Sequence, residues 1–206
     1  MKKILIMAMI CTSVLSCKKE DSSSNGNNTS ECSTFPYRKG TSVTLTSSSG
    51  TDVTNVYSKD TTIAGQYYIG TVATSLLGTT TVSWSGLTAN QEVISYLKPI
   101  GDLPTINMIG FKLKSPVGAT WNYTYPSVST PTVSYKYTYT IVSNSETFSF
   151  GGKNYTNGQK IKIELTILMA GTVLSTNTAY STYCCGIGTV KTEDNSNIRT
   201  LTAYTY

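Results

Sequence analysis

The chain has 206 residues, including 61 Ser or Thr and 15 Tyr, and its 16 Lys and Arg against 11 Asp and Glu give a formal net charge of +5. It contains no histidine, which excludes nucleophile pairs activated by histidine, histidine-ligated zinc and histidine pH switches. Apolar residues make up 39% of the chain and charged residues only 13%, a balance that predicts a folded, β-rich protein rather than a disordered one.

The N-terminus has the pattern of a signal peptide. Two lysines precede an uncharged apolar run of 12 residues at 4–15, which is shorter than the roughly 20 residues that a membrane-spanning helix needs. Residues 14–17, Val-Leu-Ser-Cys, resemble the bacterial lipobox, in which a small residue precedes a cysteine that becomes acylated. The resemblance implies that residues 1–16 form a lipoprotein signal peptide and that Cys17 carries the membrane anchor, with ordinary secretion as the alternative.

Residues 17–34 are predicted to form a flexible tether, because they are rich in Ser, Asn and Gly and show no apolar period. Two lysines and two acidic residues directly after Cys17 resemble the charged segment that directs Bacteroidetes lipoproteins to the cell surface. The resemblance implies an outer-membrane protein exposed at the cell surface, and a plain solvated linker is the alternative. The folded domain is expected to span residues 35–206.

The folded part alternates Thr or Ser with larger apolar residues, which is the period of a strand with one solvated face. Residues 132–142 place Val, Ile and three tyrosines on one face and hydroxyls with one lysine on the other. In residues 160–165 charged side chains alternate with Ile and Leu on opposite faces of the predicted strand. A shift of one residue in the strand pairing would therefore bury the charges. Gly151-Gly152 and Asn157-Gly158 are predicted hairpin turns. We therefore predict an all-β domain, either a single curved antiparallel sheet such as a half-barrel or a β-sandwich.

A sequence similarity between two segments of the chain suggests that the domain consists of two related halves. Residues 35–45 and 111–123 each combine apolar and basic residues, a Gly and then strand-like alternation, and each is followed by a Gly-x-x-Tyr element. The candidate halves are residues 35–104 and 105–206. The alternative is two unrelated meanders that share turn chemistry.

Several segments taken together resemble a broad set of uncharacterised Bacteroidetes outer-membrane lipoproteins. These segments are Phe35-Pro36 with Gly40, residues 60–68, residues 117–121 and residues 186–204. The resemblance covers nearly the whole mature chain and implies a curved antiparallel sheet similar to the half-barrels of lipoprotein carriers. A Gly-x-Gly-x-Val-Lys strand at 186–191 and the strand after it would complete that sheet. No enzymatic activity is implied.

The cysteines predict one disulfide bond. With Cys11 removed and Cys17 acylated, Cys32, Cys184 and Cys185 remain in an oxidising compartment. A bond from Cys32 to either of the other two would close a loop of about 150 residues, worth about 4–5 kcal/mol on the chain-entropy model. A bond between the adjacent Cys184 and Cys185, or three free thiols, are the alternatives. No metal site is predicted, because structural zinc needs four ligands.

The aromatic residues supply the candidate ligand contacts. Trp121, Tyr135, Tyr137 and Tyr139 have flat apolar faces with polar edges, which can stack on sugars or line an apolar cleft. The alternative is that they form sheet core and cross-strand pairs. Because most Lys and Arg of the folded part are scattered singly along the sequence, no nucleic-acid surface is predicted.

We therefore expect a non-enzymatic, lipid-anchored envelope protein without a cofactor. Its concave, aromatic-lined sheet is predicted to bind an apolar ligand, such as a lipid, or a glycan. The alternative function is a structural or accessory subunit that meets an envelope protein partner through an exposed strand edge.

Overall fold

The fold is a single antiparallel sheet of twelve strands. It is seen in a computed structural model that describes residues 35–74, 80–97 and 106–205, and these residues contain no helix. The strands are β1 (Ser42–Ser47), β2 (Asp52–Ile63), β3 (Gln66–Thr74), β4 (Thr80–Leu87), β5 (Glu92–Leu97), β6 (Ile106–Lys112), β7 (Thr120–Pro126), β8 (Val133–Phe150), β9 (Lys153–Met169), β10 (Thr172–Cys184), β11 (Gly188–Asp194) and β12 (Ile198–Thr205). The prediction of an all-β fold with one curved antiparallel sheet is confirmed. The predicted signal peptide and tether, with Cys17 and Cys32, lie outside the described residues.

Two six-stranded meanders make up the sheet. Its order is β6-β5-β4-β3-β2-β1-β12-β11-β10-β9-β8-β7, so the two chain-terminal strands, β1 and β12, pair in the middle and the consecutive strands β6 and β7 form the two edges. The chain passes from one meander to the other at residues 113–119. Strand β6 therefore belongs to the first meander, although the candidate boundary at 104/105 places it in the second half; the relation between the halves stays a prediction.

The long strands β8 and β9 show why the period-two pattern determines the register. Tyr139 pairs with Ile163 and Ile141 with Ile161, and Tyr139, Ile141 and Ile161 are all buried. Neighbouring residues such as Lys162 point to the opposite face, where charges remain in contact with water. The alternation at 132–142 and 160–165 thus places the apolar set inside the curved sheet.

Ion pairs occupy part of the outer face of the second meander. The carboxylate of Glu193 lies 2.6 Å from the Lys160 ammonium and 2.7 Å from that of Lys191. Hydrogen bonds from these two ammonium groups lower the pKa of Glu193. A one-residue slip would bury this group, so the pairs support the register.

The two glycine-containing turn predictions have different outcomes. Gly151-Gly152 forms the β8–β9 turn, with φ of +58° and +75°. The prediction of a hairpin at Asn157-Gly158 is wrong, because both residues lie inside β9. Asn157 adopts φ +58° where the β8–β9 register shifts, and a Cβ on Gly158 would lie 2.6 Å from Cys184 Sγ. This Asn-Gly pair therefore serves an irregularity in the strand and a close packing contact.

The segment before β1 folds into the sheet interior and meets the second meander. Tyr37 is buried and its hydroxyl accepts a hydrogen bond from the Thr189 amide at 2.7 Å. Tyr204 donates to the Pro36 carbonyl at 2.6 Å. Residues more than 150 positions apart are thus held together beside the β1–β12 junction.

Gly188 has to remain glycine for this packing to form. It adopts φ +89°, and a methyl group at its Cα would overlap the phenol of Tyr37. Gly118 has a similar φ of +87° but nothing lies within 4 Å of its added Cβ. We expect Gly118→Ala to cost about 1–2 kcal/mol from backbone strain alone. Gly188→Ala should cost about 2–5 kcal/mol, because overpacking adds about 1–3 kcal/mol. Urea unfolding of the two variants measures the difference, and equal losses would show that Tyr37 does not pack against Gly188.

Candidate functional site

The structure brings the four predicted ligand-contact residues onto one inner face. Trp121 of β7 pairs with Tyr139 of β8, and Tyr137 and Tyr135 follow along β8 opposite the other inward-facing tyrosines of β7. Their burial differs along the row: Tyr139 is buried, whereas Tyr135 and Tyr137 are half-buried. The row therefore runs from the core toward a more exposed end of the sheet.

Tyr139 and Trp121 have partners within the protein. Their rings stack with centroids 5.4 Å apart and planes inclined by 4°, and the Tyr139 hydroxyl lies 2.7 Å from the Met108 Sδ. Burial raises the pKa of Tyr139, so its phenol is neutral at physiological pH. These two residues join the core cluster that also contains Phe111 and Tyr183.

Side chains of β7 bridge the two edges of the sheet, a feature that we call the aromatic seam. The Trp121 indole donates to the Ile109 carbonyl at 2.8 Å, and the Tyr123 hydroxyl accepts from the Ile109 amide at 2.9 Å. The Tyr125 hydroxyl donates to the Asn107 carbonyl at 3.0 Å. These bonds satisfy polar main-chain groups on β6 that an edge strand would otherwise expose.

A buried glutamine extends the seam. Gln159 of β9 is only 2% exposed; its amide donates to the Lys112 carbonyl at 2.9 Å and accepts from the Lys112 main-chain amide at 3.2 Å. The Lys112 ammonium in turn lies 5.3 Å from the centre of the Trp121 ring. Sequence reasoning missed Gln159, because a polar residue between a turn-like Asn-Gly pair and an alternating strand carries no signal for burial.

A cavity of about 190 Å³ lies inside the curved sheet, between the two meanders. Its floor is aromatic, formed by Tyr37, Tyr57, Phe111 and Tyr183, and the half-buried Asn55, Ser85 and Ser95 supply polar groups to its lining. The four predicted ligand-contact residues do not line it. The aromatic residues that do line it come from β2, β6, β10 and the segment before β1.

The three phenols of the cavity differ in their hydrogen bonding. Tyr57 stacks on Tyr37 with centroids 4.2 Å apart, and its hydroxyl bonds to those of Tyr37 and Thr71. Tyr37 also accepts from the Thr189 amide. Tyr183 is 1% exposed, and its hydroxyl has no hydrogen-bond partner among the described residues. Burial raises the pKa of Tyr183 well above its ordinary value, so it is a neutral group with one hydrogen to donate.

The adjacent cysteines are in different states. Cys184 is a free, fully buried thiol, and burial together with the nearby Glu146 raises its pKa to about 11. Cys185 is disulfide-bonded, so the two are not joined to each other. The sulfur that pairs with Cys185 lies outside the described residues.

Neither a membrane-spanning helix nor a metal cluster is found in the described ranges. No helix in them is long and apolar enough to cross a bilayer. In the same residues, no three acidic or cysteine side chains converge in a way that could hold a metal ion.

The fold is shared with a solved structure, although the sequence matches no known family model and no curated protein. A candidate lipoprotein from Parabacteroides distasonis ATCC 8503 has a TM-score of 0.52 and 12% identity, over 83% of this chain and 97% of that one. A candidate exported protein with a YmcC-like fold from Bacteroides fragilis NCTC 9343 has a TM-score of 0.49 and 13% identity, over 84% and 98%. The first likeness establishes a common fold, and the function has to be argued from this chain's own residues.

We propose that Cys32 is the partner of Cys185, since Cys11 is expected to leave with the signal peptide and Cys17 to be acylated. A non-reducing digest of the full-length protein should contain a peptide that joins Cys32 to Cys185 and an N-terminal peptide that begins at acylated Cys17. Cys184 should react with iodoacetamide only after unfolding, because its thiol is buried and protonated at neutral pH. A bond between Cys17 and Cys185 would contradict both the pairing and the anchor.

The unpartnered hydroxyl of Tyr183 predicts that its removal stabilises the unliganded protein. We expect Tyr183→Phe to raise the free energy of unfolding by about 1 kcal/mol, because a buried unsatisfied polar group is lost and the ring stays. Tyr37→Phe should lower it by about 1 kcal/mol or more, because the Thr189 amide loses its acceptor. Denaturant unfolding compares the two, and equal destabilisation would show that Tyr183 has a partner.

Proposed function

We propose that this protein is a lipid-anchored, non-enzymatic protein of the cell envelope that binds a small, mainly apolar ligand inside its curved sheet. The lipobox-like sequence ending at Cys17 supports the anchor, and the fold shared with a candidate Bacteroidetes lipoprotein agrees with an envelope location. The charged residues after Cys17 support the finer proposal of an outer-membrane protein exposed at the cell surface.

The cavity is the observation that carries the binding proposal. Its volume of about 190 Å³ exceeds the ~150 Å³ of an apolar protein cavity that takes up benzene. It is smaller than the ~300–1,000 Å³ of typical drug-sized pockets. A molecule of one ring or one short chain therefore fits, and a long acyl chain does not.

The lining favours an apolar ligand over a glycan. Aromatic rings and the side chains of Val43, Leu45 and Val93 form most of the described lining. A sugar ring carries several hydroxyls, and each one buried without a partner costs free energy. The polar side chains Asn55, Ser85, Ser95 and Thr189 are too few to serve every hydroxyl of a sugar, so the cavity suits a molecule with few polar groups.

The four residues predicted as ligand contacts have a smaller part in this proposal. Trp121 and Tyr139 are engaged in the aromatic seam and the core. Tyr135 and Tyr137 lie on the same inner face but do not line the cavity. Their half-buried rings are proposed to exclude water from the open end of the sheet rather than to contact the ligand.

The alternative function, an accessory subunit that pairs through a strand edge, has less support at β6. A partner strand there would have to displace Trp121, Tyr123 and Tyr125 from the main-chain groups of Ile109 and Asn107. The other edge, β7, pairs only with β8 among the described strands. Strand β7 is therefore where the alternative would act.

Native mass spectrometry of the full-length lipoprotein, purified from its membrane in mild detergent, tests the two functions. We expect a small molecule bound at one per chain. Ser95→Leu places a larger side chain in the cavity lining and should abolish this binding, whereas Ser58→Leu, at an exposed position of β2, should not. Circular dichroism verifies that both variants fold.

The alternative makes a different prediction for the same sample. A protein partner that copurifies with both variants in stoichiometric amount, while no small molecule is bound, would contradict ligand binding and support the accessory function. A small molecule that stays bound to folded Ser95→Leu would place the site elsewhere in the protein.

A further inference from the structure

Two turns of the second meander form one end of the molecule, which we call the hairpin tip. The tip consists of the β7–β8 loop at 127–132 and of residues 168–174 around the β9–β10 turn. The Ala170 amide donates to the Thr132 carbonyl at 2.8 Å, so the two turns lie side by side and form a single surface.

The strands that lead to the hairpin tip carry no charge. Residues 120–135 and 165–178 contain no Lys, Arg, Asp or Glu, although 13% of the whole chain is charged. The first charged side chain behind the tip on these strands is that of Lys136, which lies opposite Thr166. It is three residues from Val133, or about 10 Å along the strand. The tip is therefore uncharged over that depth of β8.

Apolar side chains of the tip are exposed. Val128 is 64% exposed, Met169 44%, Val173 58% and Leu174 55%. Four of the nine large apolar side chains that are exposed among the described residues thus lie at the tip. Exposed apolar groups that cluster in this way mark a contact surface, whereas single ones are ordinary.

The main chain of the β7–β8 loop has partners within the tip. The Ser127 amide donates to the Val133 carbonyl at 2.9 Å, and the Val133 amide donates to the Thr130 carbonyl at 2.8 Å. The Ser127 hydroxyl accepts from the Thr130 amide at 3.0 Å. Because these polar groups are already satisfied, the loop can leave water at a lower cost than an open loop.

Tyrosines and then a lysine follow behind the apolar side chains. Tyr125 pairs with Tyr135 where β7 and β8 enter the tip, and both rings are half-buried. Tyrosine is enriched where lipid tails meet hydrated headgroups, because its ring is apolar and its hydroxyl is polar. The exposed Lys136 comes next, and a long lysine side chain can hold its ammonium among the headgroups. The order of side chains along the strands matches the order of layers at a bilayer surface.

The chain between Cys17 and the folded domain is long enough for the anchor and the tip to meet the same bilayer. The 18 residues at 17–34 can span at most about 60 Å. Strand β10, which runs from the tip to the side of the N-terminal segment, has 13 residues and is about 40 Å long. An acyl group on Cys17 can therefore reach a membrane on which the tip rests.

We propose that the hairpin tip is a second membrane contact, whose exposed apolar side chains enter the boundary between the headgroups and the acyl chains of the bilayer that holds the Cys17 lipid. The occupant of the tip is thus an uncharged lipid surface. The inference rests on the lipid anchor of the proposed function and does not depend on the ligand cavity. Together the two contacts fix the orientation of the domain on the membrane.

Fluorescence quenching in phosphatidylcholine vesicles tests this contact on the full-length lipoprotein. Thr172→Cys provides a labelling site at the tip, and Ser58→Cys provides one at an exposed position of β2. Each is labelled with the fluorophore NBD under native conditions, in which the buried thiol of Cys184 does not react. Nitroxide groups on the acyl chains quench only a fluorophore that comes close to them. The label at position 172 should lose most of its emission, at low and high salt alike, and the label at position 58 should keep it.

Matched variants separate the tip from exposed apolar residues in general. Leu174→Asp and Val117→Asp each place a carboxylate at an exposed apolar position, since Leu174 is 55% and Val117 57% exposed. Val117 lies in the segment between the meanders, at the opposite end of β7 from the tip. Burial of one Leu side chain favours the contact about 10–100-fold, so Leu174→Asp should restore the emission of the label at position 172. Val117→Asp should leave it quenched. Thermal unfolding verifies that both variants are folded.

The outcomes distinguish this inference from the anchor on which it rests. If the protein sediments with the vesicles but the labels at positions 172 and 58 are quenched equally, or not at all, the tip contact is wrong and the anchor stands. The tip contact is also wrong if Leu174→Asp and Val117→Asp change the quenching equally. Emission at position 172 that shifts to the blue without being quenched would show that a protein surface, such as a second copy of this chain, covers the tip instead of lipid. If the protein does not sediment with the vesicles, both the anchor and the tip contact fail.

Discussion

The main-chain pairing of β1 with β12 is the interaction on which the rest of the fold depends. Every other strand pairs with a neighbour in sequence, whereas this pairing joins Ser42 to Thr205 and Ser47 to Arg199. Bringing such distant residues together costs loop-closure entropy, which the contacts beside the junction have to offset. The buried Tyr37 and the half-buried Tyr204 supply two of them by linking the segment before β1 to the second meander. The cavity exists only because both meanders are held face to face, since each contributes part of its aromatic floor.

The opposite side of the molecule is closed by different chemistry. At the aromatic seam the main chains of β6 and β7 do not pair, and side chains of β7 and β9 satisfy the edge of β6 instead. Side chains can rotate away from an edge without breaking a ladder of main-chain bonds, so the seam is the less costly of the two junctions to open. The sheet therefore combines a continuous junction at β1–β12 with a side-chain closure at its edges, and this closure protects the main-chain groups of β6 against pairing with other chains.

Local patterns predicted the strands, their faces and one of two turns, because those properties depend on period and on residues that are adjacent in sequence. The inward set around Tyr139 and Ile141 and the turn at Gly151-Gly152 are examples. The lining of the cavity was not predictable in this way: Tyr57 and Tyr183 lie on strands that look like any other, and only the curvature of the sheet brings them together. Asn157-Gly158 failed for a related reason, since the same conformational freedom serves a turn or an irregular strand. In the structure the pair lies in an irregular strand, where Gly158 packs closely against Cys184, a residue distant in sequence.

Strand β10 connects two ends of the molecule that differ in character. It runs for 13 residues, about 40 Å, from the turn at Ala170-Gly171 to Cys184, beside which the N-terminal segment enters through Tyr37 and Thr189. The two ends of β10 therefore differ, because one lies beside the buried N-terminal segment and the other is exposed to solvent. The exposed apolar side chains of Val173 and Leu174 thus lie at the end of β10 that is farthest from the N-terminal segment.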